Sequence, residues 1–265
     1  MALAPTAEWQ AEAPSPEWYV RFNVWQRAQH WLLVISFAGL LLTGLPQKYP
    51  DVAAASWVID LLGSISTARF LHRIFATIFV AESVLHVSEV GLSILRRRFR
   101  PSMVISPQDF RDAFNMLRYS VGLIRERPQF DRYDYKQKFE YWGIVFGAVI
   151  MIATGLMLWY PAYVTRILPG EFIPAAKEMH TGEALLALAV VVLWHFYDVV
   201  LSPALLPMDT AMITGKISRE RLMHEHTKEY WRLIGMGTRP GGPAAGEDAV
   251  SAPRPPPRGP PTAGV

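Results

Sequence analysis

Cysteine is absent from this 265-residue chain. That excludes disulfides, thiolate-held iron–sulfur clusters and covalent haem attachment through C-x-x-C-H. Charge is scarce as well. Only 18% of residues are Asp, Glu, Lys or Arg, and the net charge is +3. So small a basic excess reflects membrane topology better than nucleic-acid binding, and no nucleic-acid partner is expected. The opening stretch MALAPTAEWQAEAPSPEWYV lacks a basic n-region followed by a short apolar run, so it is not expected to be a cleavable signal peptide.

What the chain has instead is long apolar runs, within a composition that is 51% hydrophobic. Four spans are expected, at about 24–46, 70–95, 139–160 and 180–202, each near the ~20 residues that cross ~30 Å of hydrocarbon. The expected fold is an all-α membrane protein, a four-transmembrane-helix bundle over 21–215 in contact with lipid, with amphipathic cytoplasmic segments. Between the second and third spans, residues 96–138 carry eleven Lys or Arg against five Asp or Glu. The positive-inside rule makes that loop cytoplasmic. Loop 161–179 holds only Arg166 and Lys177 as cations and suits the opposite side. Both termini then fall on the cytoplasmic side. Within 96–138, Ser106-Pro107 can cap a helix whose apolar positions Phe110, Phe114, Leu117, Val121 and Ile124 would rest on the membrane surface or a partner. A short helix is expected in DVAAASWVIDLLGSI, and an amphipathic basic segment over 216–236. The N-terminal residues 1–20 are polar, and the tail 237–265 is too rich in Pro and Gly to fold.

Histidine is the residue that needs explaining, because an ionisable ring inside a span is costly. The stretch HTGEALLALAVVVLWH places His180 and His195 at the ends of the fourth span. Fifteen residues rotate an ideal helix about 60° past four turns and raise it ~22 Å. In the second span His72 and His86 are fourteen apart, a net rotation of about −40° and a rise of ~21 Å. On each helix the two rings share a broad face at opposite depths. His72 and His180 would meet near the outer leaflet, His86 and His195 near the inner one, with His30 at the inner level too. The first and third spans both end in Thr-Gly-Leu (43–45 and 154–156) and then reach a Pro, which suggests two related helix pairs.

Imidazoles paired from facing helices grip a haem iron from both sides, giving a centre that passes electrons. A lone His in a span is more often a helix–helix hydrogen-bond donor; four at matched depths fit that reading poorly. Zinc is a weaker alternative without cysteines and with few carboxylates nearby. Glu82, Glu89 and Glu183 are candidates for proton movement or for helix–helix hydrogen bonds. Gly39, Gly44, Gly143, Gly147 and Gly155 offer room for a flat macrocycle or for close helix packing. A non-redox transporter or scaffold, and a transmembrane reductase of the ascorbate-linked cytochrome b type, are the rival functions.

RFNVWQRAQHWLLVISFAGLLLTG, RYDYKQKFEYWGIVFGAVIMIATGLMLW and HTGEALLALAVVVLWHFYDVVLSP resemble the first, third and fourth spans of the membrane cytochrome b (gamma) subunits of formate dehydrogenases and nickel–iron hydrogenases, in the cytochrome b/b6-domain branch. The resemblance covers about 20–215. It implies a bacterial inner-membrane subunit with two b-type haems and a quinone site, working with a multihaem cytochrome c or iron–sulfur redox subunit. By position it assigns His72 and His180 to the outer haem and His30 and His195 to the inner one. His86 departs from that pattern. It gives the second span two histidines, as in the cytochrome b of quinol–cytochrome c oxidoreductases, where His86 and His195 would be the inner pair.

Overall fold

Each half of the molecule begins with the same device. Asn23 opens α1 (Val24–Lys48): its side chain accepts from the Gln26 backbone N–H, and the Gln26 side chain accepts from the Asn23 backbone N–H. Asp134 and Gln137 do the same at the start of α5 (Tyr135–Trp159). This reciprocal capping satisfies two of the backbone donors that a helix start leaves open. The third span therefore starts earlier than the apolar run at about 139. In the computed structural model, which describes residues 17–203, 205, 206 and 208–235, four helices are long and apolar enough to cross a membrane. The remaining two are α3 (Ile65–Leu95) and α7, an α-helix over Phe172–Val190 that continues in π-type turns over Val191–His195 and Tyr197–Leu201. The expectations for 1–16 and the tail 237–265 lie outside the described residues.

Shorter elements join the spans. They are α2 (Ala53–Leu62), α4 (Pro107–Ser120) and α6 (Pro161–Val164). α4 starts at the Ser106-Pro107 signal but stops before Val121 and Ile124. Val121 is its C-cap and Gly122 takes a positive φ of 77°, which turns the chain away. Phe110, Phe114 and Leu117 remain exposed, while Asp109 is held by Lys138 of α5 at 2.8 Å. α1 runs through Pro46 to Lys48 instead of stopping at it.

The main packing is α1 on α3 and α5 on α7, with lighter contacts of α1 with α7 and of α3 with α5. Both pairs are antiparallel, because early residues of one helix meet late residues of the next. The two halves are sequence-related. At a spacing of 111 residues, Arg21 matches Arg132, Gln26 matches Gln137, Trp31 matches Trp142, Thr43-Gly44-Leu45 matches Thr154-Gly155-Leu156, and Tyr49-Pro50 matches Tyr160-Pro161. The local structure repeats too. Tyr49 and Tyr160 are the C-caps of α1 and α5 with the same backbone angles, φ −123° in both and ψ 57° and 52°. Trp31 Nε1 donates to the Met212 carbonyl at 3.1 Å, and Trp142 Nε1 to the Met103 carbonyl at 2.9 Å. The Thr-Gly-Leu echo is thus one part of a pseudo-two-fold repeat.

At the end of the bundle that carries Arg96–Arg98, the segment expected as one amphipathic stretch is a small folded unit. A ribbon of β1 (Trp18–Val20) and β2 (Lys216–Ser218) pairs antiparallel, an addition to the all-α expectation. The unit continues through α8 (Ala211–Thr214), α9 (Arg219–Glu225) and α10 (Thr227–Leu233), and Ile217, Leu222 and Tyr230 form its apolar core. Glu229 clamps the two halves. Its two carboxylate oxygens take Arg21 at 2.7 Å and Arg132 at 2.8 Å, and each arginine also donates to the backbone carbonyl of the other.

His226 completes this cluster. Its Nδ1–H donates to the Asp131 carbonyl at 2.8 Å, and Nε2 accepts from Arg21 at 3.1 Å. Burial first, and then the Arg21 charge, pull its pKa down to about 3. The unfolded segment takes a proton near the ordinary histidine value, and the folded one does not until far lower pH. Stability is therefore complete above about pH 6.5 and falls as the pH drops towards 3, by about 2 kcal/mol at pH 5. Amide hydrogen exchange across Thr227–Leu233 is expected to quicken between pH 7 and pH 5 beyond its intrinsic pH dependence. His226→Asn should flatten that response.

Candidate functional site

Two imidazole pairs stand between the halves at the two ends of the spans. His72 of α3 and His180 of α7 have ring centres 6.4 Å apart. His30 of α1 and His195 of α7 also have ring centres 6.4 Å apart. The structure does not bring His86 to His195. Instead, His86 Nε2 lies 2.9 Å from the Tyr141 hydroxyl and Nδ1 lies 3.0 Å from Gln29 Oε1. The amide nitrogen of Gln29 donates to Glu89 at 2.6 Å, so its oxygen is the acceptor towards His86. His86 Nδ1 then carries the proton and Nε2 accepts from Tyr141. Both of its nitrogens are occupied.

The repeat explains this asymmetry. His86 and His195 hold equivalent places: His86 bonds Gln29, and His195 Nδ1 lies 3.2 Å from Glu140, the residue 111 positions after Gln29. Position 30 repeats at Tyr141 by the same spacing. One copy of the arrangement is therefore His30 with His195, the other Tyr141 with His86. The π-type turn ending at His195 takes up the extra residue that makes the His180–His195 interval fifteen against fourteen in α3. Each π turn winds less per residue, so the ideal-helix rotation of about 60° does not apply to α7.

The other pair is symmetric. Thr43 Oγ1 donates to the Gly39 carbonyl at 2.6 Å and lies 3.0 Å from His72 Nδ1. Thr154 Oγ1 donates to the Ile150 carbonyl at 2.6 Å and lies 2.9 Å from His180 Nδ1. Next to each threonine is a glycine whose missing side chain makes room for the ring. A Cβ at Gly44 would stand 2.9 Å from His72 Cε1, and one at Gly155 would stand 3.3 Å from His180 Cε1. Farther along, a Cβ at Gly147 would stand 2.5 Å from Glu183 Oε1, and one at Gly39 would meet the Phe75 ring. Gly143 has open space around it. Glu82 is buried within α3, and Glu89 bonds Trp25 and Gln29 at the end of the bundle near β1.

These residues fit a haem better than a bare metal ion. Among the described residues no group of three or more His, Cys, Asp or Glu could hold an ion, whereas zinc sites use three or four protein ligands. Two imidazoles suffice when a porphyrin supplies the remaining four bonds. With a metal–nitrogen bond of about 2.0–2.1 Å and about 1.1 Å from nitrogen to ring centre, two imidazoles on opposite sides of one iron have centres about 6.3 Å apart. Both pairs lie at that separation. Nδ1 is engaged on His72, His180 and His195, which leaves Nε2 as the metal-binding nitrogen on each. His30 Nδ1 is buried without a hydrogen-bond partner among the described residues.

Comparison with known proteins agrees with the geometry. The family model described as prokaryotic cytochrome b561 matches residues 21–215, the whole of the spanning region. The chain belongs to the prokaryotic cytochrome b561 family. Membership in this cytochrome b family implies b-type haem, and with its four apolar helices the chain is a bacterial membrane protein. Among curated relatives, the cytochrome b556(fdo) subunit of formate dehydrogenase from Escherichia coli K12 is 24% identical over 214 residues, covering 80% of this chain and 91% of the relative. The nitrate-inducible formate dehydrogenase cytochrome b556(Fdn) subunit of the same organism is 24% identical over 212 residues, covering 80% and 89%. The formate dehydrogenase cytochrome b556 subunit of Haemophilus influenzae is 24% identical over 178 residues, covering 67% and 69%. For this cytochrome b561-family chain, sequence reasoning picked out the histidines and most of the glycines near them. It missed Gln29, Thr43, Glu140, Tyr141 and Thr154 as their partners. The 111-residue repeat was the signal that could have found them, since each half carries a matched set.

Proposed function

We propose that this chain is the membrane-anchoring dihaem cytochrome b subunit of a respiratory oxidoreductase complex of the formate dehydrogenase type. It passes electrons between a partner redox subunit and the quinone pool. The observation that carries this reading is the pair of His–His contacts, His72 with His180 and His30 with His195, each with ring centres 6.4 Å apart, where two imidazoles from facing helices would hold a haem. A bis-imidazole haem at each level would supply one-electron transfer without binding oxygen readily. The protein's own residues hold the rings. Thr43, Thr154 and Glu140 bond the Nδ1 side of their histidines and so fix which nitrogen faces a metal. His86, bonded at both nitrogens, belongs to a hydrogen-bonded chain of Tyr141, Gln29 and Glu89 beside the His30–His195 pair. The Arg-rich end and both termini face the cytoplasm, which makes His30–His195 the inner pair. The partner subunit, with c-type haem or iron–sulfur centres, meets the outer end. Quinone exchanges electrons near the inner pair, with His86, Glu82 and Glu89 as candidate carriers of its protons.

The test is a pyridine haemochrome count on purified full-length protein. Two b-type haems per chain are expected. His30→Ala should lose one of them, whereas His86→Ala should keep both, because its nitrogens serve other side chains. A colourless protein from haem-replete cells would overturn the reading and leave a four-span protein with a non-redox role. Loss of haem in His86→Ala with full retention in His30→Ala would reassign the inner ligand.

A further inference from the structure

The two Thr-Gly pairs explain more than helix packing. A threonine hydroxyl carries one hydrogen. In both copies that hydrogen is committed to the carbonyl four residues back, at 2.6 Å from Thr43 to Gly39 and 2.6 Å from Thr154 to Ile150. Towards the histidine each hydroxyl oxygen can therefore only accept. His72 Nδ1, 3.0 Å away, and His180 Nδ1, 2.9 Å away, must both be N–H donors. With Nδ1 carrying the hydrogen, the neutral imidazole has its lone pair on Nε2, the tautomer a metal ligand needs. Glycine at the next position lets each ring lie against the neighbouring helix close enough for the bond to form. Both threonines are buried, so water does not compete for the hydroxyl.

We propose that Thr43 and Thr154 are positioning residues that lock His72 and His180 in the Nδ1–H tautomer and tune the haem between them. The proposal rests on the dihaem reading and goes beyond it by assigning the electronic control of one haem to two hydroxyls. A hydrogen bond at Nδ1–H pushes electron density onto the ring and makes Nε2 a stronger donor, which favours the oxidised iron. The His30–His195 pair is held differently, by the Glu140 carboxylate on one ring and by no partner at His30 Nδ1 among the described residues. The two haems therefore respond to different substitutions.

The experiment is redox potentiometry of the full-length, haem-loaded protein carrying Thr43→Val, Thr43→Ser, Thr154→Val or Thr154→Ser. Valine keeps the volume and removes the acceptor, and serine keeps the acceptor. Each valine variant is expected to change the ferric-over-ferrous preference of the His72/His180 haem about tenfold. This raises its midpoint by about 59 mV for a one-electron couple, with the second haem unmoved and serine restoring the original value. Loss of that haem alone in the valine variants, with retention in the serine variants, also supports the assignment. An unmoved midpoint, an equal shift of both haems, or failure of serine to rescue overturns it. A wild-type chain without haem would sink the function proposed above and the tuning with it, whereas haem bound with unmoved midpoints would sink this inference alone. The tautomer is then read from the 15N resonances of His72 and His180 in the same protein. A protonated Nδ1 whose resonance moves in the valine variants and returns in the serine variants upholds the proposal, and an unprotonated Nδ1 in the parent chain ends it.

Discussion

His180→Ala is expected to purify with one b-type haem per chain in place of two, the remaining haem showing an unchanged spectrum. His180 and His72 approach from α7 and α3 as a pair, and no third imidazole stands at their level. Removing one ring leaves a single axial bond to hold the haem. The neighbouring Thr154 hydroxyl, already committed to Ile150, cannot replace it. His72→Ala should give the same product. The double variant should lose nothing more, because the two residues act as one unit and their effects do not add. The other pair shares α7 but no hydrogen bond with this one, since His195 is held by Glu140 and His180 by Thr154. Its haem is the internal control for folding. A haemochrome count and a reduced-minus-oxidised spectrum for each variant decide the matter. Two haems retained in His180→Ala would mean that the 6.4 Å approach of these rings serves something other than iron.

The spans were legible because a membrane imposes a length. A run of about twenty apolar residues matches the thickness of hydrocarbon, and the histidines inside such runs stand out because a charge there is expensive. The depth of each imidazole also followed from residue spacing along a helix. What spacing could not supply was direction. His30 and His86 share a level, and choosing between them required knowing that His86 meets Tyr141 and Gln29 across two helix contacts. The π-type turns of α7 were hidden for a related reason. They depend on which hydrogen bonds the backbone forms, and an apolar run reads alike for α and π winding. The Thr-Gly-Leu echo was visible as a repeat. Its chemical meaning needed the third partner, a histidine 29 residues from Thr43 and 26 from Thr154. The folded unit near β1 and β2 was the least legible part. Its strands have three residues each, too short for any pattern.

Glu229→Gln is expected to release this unit from the bundle, lowering its stability by about 3–5 kcal/mol. Arg21 and Glu229 are both almost fully buried, with 3% and 4% of their side chains exposed, and 208 residues separate them in the chain. An amide offers one oxygen where two arginines each need one, and it removes the only carboxylate that contacts either guanidinium among the described residues. The buried Arg21 and the half-buried Arg132 beside it would then lack an anion, a costlier arrangement than a missing surface ion pair. The penalty falls on the point where the repeat closes. Arg21 leads into α1 and Arg132 into α5, and their reciprocal backbone bonds tie the two helix starts together with Glu229 between them. Faster trypsin cleavage after Arg219 and Arg221, with both haems still bound, is the predicted signature. The two imidazole pairs sit within the spans and make no contact with Glu229. Loss of haem together with undocking would show that the ion cluster also sets the spacing of α1 and α5, and through it the 6.4 Å approach of His30 to His195.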